Sequence, residues 1–133
     1  LDDIPGSCKN ASAMSEESFA PDIPSVNRYA VVLEPTEEYF AWARVSPEGP
    51  GPDPAEMERE YTVFLIPELE TDAKKWLRSN YKSMFEHELW AWCIDRELWP
   101  TDRSYAAFQK FFTVTVNSEV LDLGKGDVER ENP

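Results

Sequence analysis

Histidine and cysteine are scarce in this chain, and their scarcity excludes several kinds of active site. His87 is the only histidine, and Cys8 and Cys93 are the only cysteines. Residues six apart on a continuous helix lie about 120° out of phase, so His87 and Cys93 do not form a catalytic pair there. A zinc site needs several ligands converging on one point, whereas Glu86, His87 and Glu88 point in different directions. The sequence predicts no catalytic residue, no metal and no cofactor.

Glycine-rich loops and long apolar runs are also missing. Gly49 and Gly51 lie in an acidic, proline-rich loop that would repel phosphate, which argues against a nucleotide site. No apolar run approaches the roughly 18 residues needed to cross a bilayer, and no signal-peptide pattern is present. Two cysteines do not make a disulfide framework. These absences predict a cytoplasmic localisation, with no membrane association.

The chain has few basic residues: it contains 13 lysines and arginines and 26 aspartates and glutamates, which gives a net charge of −13. An excess this large argues against direct binding to nucleic acid or to anionic membranes. It favours a protein partner with a basic or apolar patch. The excess is greatest in residues 34–60, where Glu48, Asp53 and Glu56 are candidate partner-binding residues. The alternative is that the charge serves solubility alone.

The two ends of the chain have the composition of disordered segments. Residues 1–27 and 124–133 contain few large apolar side chains, so they bury too little surface to offset the entropy of ordering. We therefore expect a disordered head, a domain over residues 28–123 and a disordered tail. Because Met14 has the context of an ordinary start, residues 1–13 are expected to be an expression leader or upstream read-through.

Two apolar runs, residues 28–34 and 61–66, each stop at a proline and are followed by a helix pattern. Repeated βα units predict parallel neighbouring strands, and the first run suits a strand buried on both faces. Residues 113–116 alternate as a third, half-buried strand does.

The helices are indicated by spacing and by capping residues. Thr36 and either Thr101 or Asp102 are expected to cap two short helices. The long helix after Thr71 places apolar residues at 73, 76, 77, 81, 84, 85, 89 and 92, which is the period of a helix with one buried face. The fold class predicted is α/β: a single small domain with the order β-α-β-α-α-β and a three- or four-stranded mixed sheet covered by helices.

Five tryptophans are many for a domain of this size. Trp76, Trp92 and Trp99 are interpreted as core residues. Trp90 points to a different face of the helix from Trp92, so it either packs under the proline-rich loop or is exposed as an interface anchor. Trp90 is therefore a further candidate partner-binding residue.

Three segments together resemble a group of short bacterial proteins of uncharacterised function. They are residues 27–33 (NRYAVVL), residues 62–68 (TVFLIPE) and the corner Leu98-Trp99-Pro100. The resemblance covers about residues 27–123. It implies a bacterial protein and supplies no reaction, cofactor or partner.

The sequence favours a non-enzymatic, acidic binding or regulatory module. The alternative is a small enzyme with a shallow cleft formed near Tyr81, His87 and Trp90. A pocket that joins His87 to a polar side chain of another element would favour the enzyme, and a flat apolar patch would favour the module.

Overall fold

The computed structural model describes residues 20–45 and 60–133. The described elements, in chain order, are β1 (Tyr29–Pro35), α1 (Glu37–Arg44), β2 (Thr62–Ile66), α2 (Ala73–Trp92), a 3₁₀ turn (Arg96–Leu98), α3 (Tyr105–Phe111) and β3 (Phe112–Asn117). The prediction of a small α/β domain is confirmed. The described residues contain one sheet of three strands, in the order β2-β1-β3.

The prediction of parallel neighbours, and hence of a mixed sheet, is wrong. β1 pairs antiparallel with both β2 and β3. Leu33, near the end of β1, lies opposite Thr62 at the start of β2, so the connection returns to the end of the sheet from which it left. The eight residues of α1 span only about 12 Å, whereas the seven residues of β1 span about 23 Å. Helix α1 by itself is too short to return the chain along β1, as a parallel pairing with β2 would require.

Strands β2 and β3 flank β1 and run parallel to each other, because each is antiparallel to β1. The chain crosses between them through α2, whose 20 residues extend about 30 Å. The crossover expected between the first two strands therefore lies between β2 and β3.

Helix α2 covers one face of the sheet. It begins after Asp72, whose side chain accepts a hydrogen bond from the Lys74 backbone N–H at 3.2 Å. Its buried residues are Leu77, Tyr81, Met84, Phe85 and Leu89. All five belong to the apolar set that the helical spacing predicts. They share one core cluster with Val31 and Leu33 of β1.

Helix α3 completes the core with aromatic side chains. Phe108 is fully buried, and its ring centroid lies 5.6 Å from those of Phe85 and Phe112. Tyr39 of α1 adds a further edge contact, 6.3 Å from Phe111. Tilted and edge-to-face contacts at these distances are the favourable geometries for aromatic rings, so α1, α2, α3 and β3 are held by one aromatic cluster.

Both short helices begin differently from what the capping residues predict. Thr36 precedes α1 but makes no side-chain cap; its hydroxyl donates to Lys110 O instead. Helix α3 is capped by Ser104, whose Oγ accepts from the Ala107 N–H at 3.2 Å. Hydrogen bonds from the Ser104 side chain and backbone lower the pKa of Asp102 from its usual value. Asp102 therefore supports the turn before α3 rather than capping the helix.

Three tryptophans hold the corner that follows α2, and two of them connect this region to α1. The indole N–H of Trp42 donates to Leu98 O at 3.1 Å, and that of Trp92 donates to Ala43 O at 3.1 Å. The indole N–H of Trp99 donates to Cys93 O at 2.8 Å. A buried indole requires a hydrogen-bond acceptor, so the corner uses its tryptophans for structure.

The chain divides into two compact units. One is Val26–Val120, which contains every helix and strand named above. The described part of the other consists of residues 20–25 and 121–133, in which Ser25 and Leu121 form an isolated bridge and the Asp122 N–H donates to Pro24 O at 2.8 Å. The predicted domain limits at residues 28 and 123 and the predicted disorder of the ends stay predictions.

Candidate partner-binding surface

The face of the sheet opposite α2 is called here the open face. The strand register places its residues beside one another: Ala30, Val32 and Glu34 of β1, Val63 and Leu65 of β2, and Thr113, Thr115 and Asn117 of β3. The expectation that β1 is buried on both faces is therefore wrong, because Val32 is only half-buried and Glu34 is exposed. Ala30 is buried but lies outside the core cluster.

Three apolar residues form a line along the open face, called here the apolar strip. Tyr61, Val63 and Leu65 are 45%, 55% and 51% exposed. Alternate residues of a strand share a face, and the Tyr61 hydroxyl donates to Glu34 Oε2 at 3.4 Å, which places Tyr61 on that face as well. The strip extends about 13 Å from Tyr61 to Leu65, which is four steps of about 3.3 Å each.

The surroundings of the apolar strip are polar and acidic. Glu34 and Glu60 are exposed at the end where Tyr61 lies. Exposed threonines, Thr113 and Thr115, occupy the β3 side of the open face. Strand β2 is an edge of the sheet, and no described residue pairs with its outer side. An exposed apolar edge strand invites association with another chain.

Trp90 is exposed, which is one of the two outcomes left open for it. Its side chain is 56% exposed, and it lies nine residues after buried Tyr81, on the opposite side of α2. Ile94, just beyond the helix, is also exposed. The sequence candidates Glu48, Asp53 and Glu56 lie outside the described residues.

Tyr81 is not brought together with the other two residues of the proposed enzyme cleft, His87 and Trp90, which lie three residues apart on α2. Tyr81 is a core residue, and its hydroxyl donates to Arg103 O at 2.8 Å. His87 is half-exposed; its Nδ1 lies 3.0 Å from Glu88 Oε2, and its ring contacts the edge of Phe64 at 5.7 Å. Because Tyr81 and His87 lie about 120° apart around α2, they do not line one cleft.

The apolar strip was not found from the sequence because residues 61–66 are apolar at nearly every position. Such a run does not reveal which alternate residues face outwards. The available signal is in the other two strands of the sheet, where Glu34, Thr113 and Thr115 are polar residues that require an exposed face. These polar residues identify the exposed face of β2 only when the strand register is known, because the register decides which residues share a face.

In residues 20–45 and 60–133, no group of three or more histidine, cysteine or acidic side chains is arranged to hold a metal ion. Within the same residues, no helix has both the length and the apolar character to span a membrane. Comparison of the chain with protein-family models, with curated proteins and with solved structures finds no match.

Proposed function

We propose that this protein is a non-enzymatic binding module and that its partner docks on the open face of the sheet, over the apolar strip. The observation that carries the proposal is the exposure of three alternate residues that face outwards: Val63 and Leu65 on the edge strand β2, and Tyr61 directly before it. Single apolar residues are common on protein surfaces, whereas a contiguous line of them marks an interaction site.

The chemistry of the surface indicates the chemistry of the partner. Apolar contact with the strip supplies most of the affinity, because desolvated apolar anchors dominate binding energies. Glu34 and Glu60 border the strip, and the chain carries a net charge of −13. The partner is therefore a protein with an apolar ridge flanked by lysine or arginine. A second copy of this chain has the same sign of charge, which disfavours self-association.

The sequence predicts two further surfaces. Trp90 is exposed on the far side of α2 from the core, away from the open face, and is the alternative docking site to the apolar strip. The acids Glu48, Asp53 and Glu56 are proposed to steer the encounter, on the strength of the charge distribution alone. We place the module in a reducing bacterial cytoplasm, supported by the two-cysteine composition and by the resemblance over residues 27–123.

Capture from the native host at low salt tests the proposal with three forms of the full chain. The first is wild type, the second carries Val63→Thr and Leu65→Thr, and the third carries Trp90→Gln. Threonine is β-branched and suits an exposed strand, so the double variant keeps the fold while removing apolar surface. Trp90→Gln removes a larger exposed side chain elsewhere and is the matched control.

We expect wild type and Trp90→Gln to retain the same basic protein and the double variant to lose it. The melting temperatures of the three forms must agree within a few degrees, so that a loss of binding is not caused by unfolding. Retention by all three forms would contradict docking on the open face. Loss of the captured protein from the Trp90→Gln form alone would show that the interface lies on the outer side of α2.

A further inference from the structure

A small cavity of about 240 Å³ lies between α2 and the segment that precedes α3, away from the open face. Its lining residues are Lys82, Phe85 and Glu86 from α2 and Thr101 and Arg103 from the connecting segment. Pockets for drug-sized ligands usually have about 300–1,000 Å³. This one suits a small molecule or the terminal group of a larger one.

The guanidinium group of Arg103 is fixed in place. Its Nη1 donates to Pro100 O at 2.7 Å, and its Cζ lies 5.7 Å from the Trp99 ring centroid. The Arg103 carbonyl is held as well, because it accepts the hydrogen bond of the buried Tyr81 hydroxyl. An arginine carries five N–H donors in a rigid fork, so donors remain for a ligand after the bond to Pro100.

The second cation of the cavity is Lys82. Within the described part of the chain, no carboxylate lies within 4 Å of its ammonium group. The acid of the lining, Glu86, lies 3.9 Å from Arg96, which itself lies 4.9 Å from the Trp99 ring centroid. Arg96 therefore offsets part of the Glu86 charge, and two cations and one hydroxyl are available to a ligand.

We infer that this cavity binds a small oxyanion, a carboxylate or a phosphate group, through Lys82, Arg103 and the hydroxyl of Thr101. Charge-assisted hydrogen bonds to a fixed arginine are the strongest contacts that such a group makes, and Phe85 supplies an apolar wall. The remote acids of the chain oppose binding only weakly, because charges further than about 8–10 Å away are screened at physiological salt. The inference does not depend on the proposed partner.

Nuclear magnetic resonance of the full chain tests the site, with inorganic phosphate and acetate titrated separately at constant ionic strength. Three forms are compared: wild type, Lys82→Met and Lys75→Met. Lys75 lies two turns before Lys82 on α2, about 10 Å away, so it gives the same charge change outside the cavity. Both lysines are exposed, and neither change is expected to affect folding.

We expect saturable shifts of the Thr101 and Arg103 amides with at least one of the two anions. Lys82→Met should weaken that binding at least about tenfold, since it removes one charged hydrogen bond, and Lys75→Met should change it less than twofold. The anion that binds more tightly identifies the ligand class. Shifts that do not saturate with either anion, or that are equal in the two lysine variants, would overturn the inference.

Discussion

Replacing Phe85 by alanine is expected to lower the free energy of unfolding by about 3–5 kcal/mol, a large part of the about 5–15 kcal/mol typical of a domain. Phe85 is 1% exposed, and its ring centroid lies 5.5 Å from that of Phe111 and 5.9 Å from that of Phe112. Its removal leaves a cavity where α2, α3 and β3 meet. The surrounding rings are held by one another and fill such a space poorly.

Urea denaturation of three variants measures this effect. Phe85→Ala is compared with Phe85→Leu, which keeps most of the apolar volume and should lose clearly less. Trp90→Ala removes a larger side chain but from an exposed position, and should cost less than about 1 kcal/mol. If Trp90→Ala and Phe85→Ala lose the same free energy, the assignment of the buried face of α2 is wrong.

The buried face of α2 could be predicted because it depends only on local spacing. Leu77, Met84 and Leu89 recur at helical intervals, and a helix repeats its faces without reference to the rest of the chain. The same spacing places Tyr81 with the core. Its inclusion in a cleft with His87 went beyond what the spacing supports.

The strand directions could not be predicted, because pairing is decided by contacts far apart in sequence. Pro35 and Pro67 end their runs in the same way whether the next strand is parallel or antiparallel. Phe112 shows the difference: β3 starts there opposite Pro35, at the end of β1. The position of α3 against the core sets that start, and no local pattern encodes it.

The apolar strip could not be predicted from the sequence for a related reason. Val63 and Leu65 have the residue types of a buried strand, and only their pairing with Val32 and Ala30 shows that they lie on the open face. Trp90 was only partly predictable. Helical spacing shows that it lies away from the core face of α2, but its exposure depends on what packs nearby. Tertiary context decided both cases.

Loss of the apolar strip should have the largest effect on binding. Val63→Thr and Leu65→Thr together are expected to weaken affinity for the partner by about 30- to 800-fold, since central apolar anchors contribute about 1–2 kcal/mol each. The change should appear mainly as faster dissociation, because the variant leaves the charges that guide encounter unaltered. Glu34→Gln, at the border of the strip, should mainly slow association.

The dissociation rate of the captured partner from wild type and from the Val63→Thr, Leu65→Thr variant is the measurement that tests docking on the open face most directly. Trp90→Gln is measured beside them at the same salt concentration. The proposal predicts dissociation at least about 30-fold faster for the strip variant and within about twofold of wild type for Trp90→Gln. An unchanged rate for the strip variant, with faster release from Trp90→Gln, would contradict it.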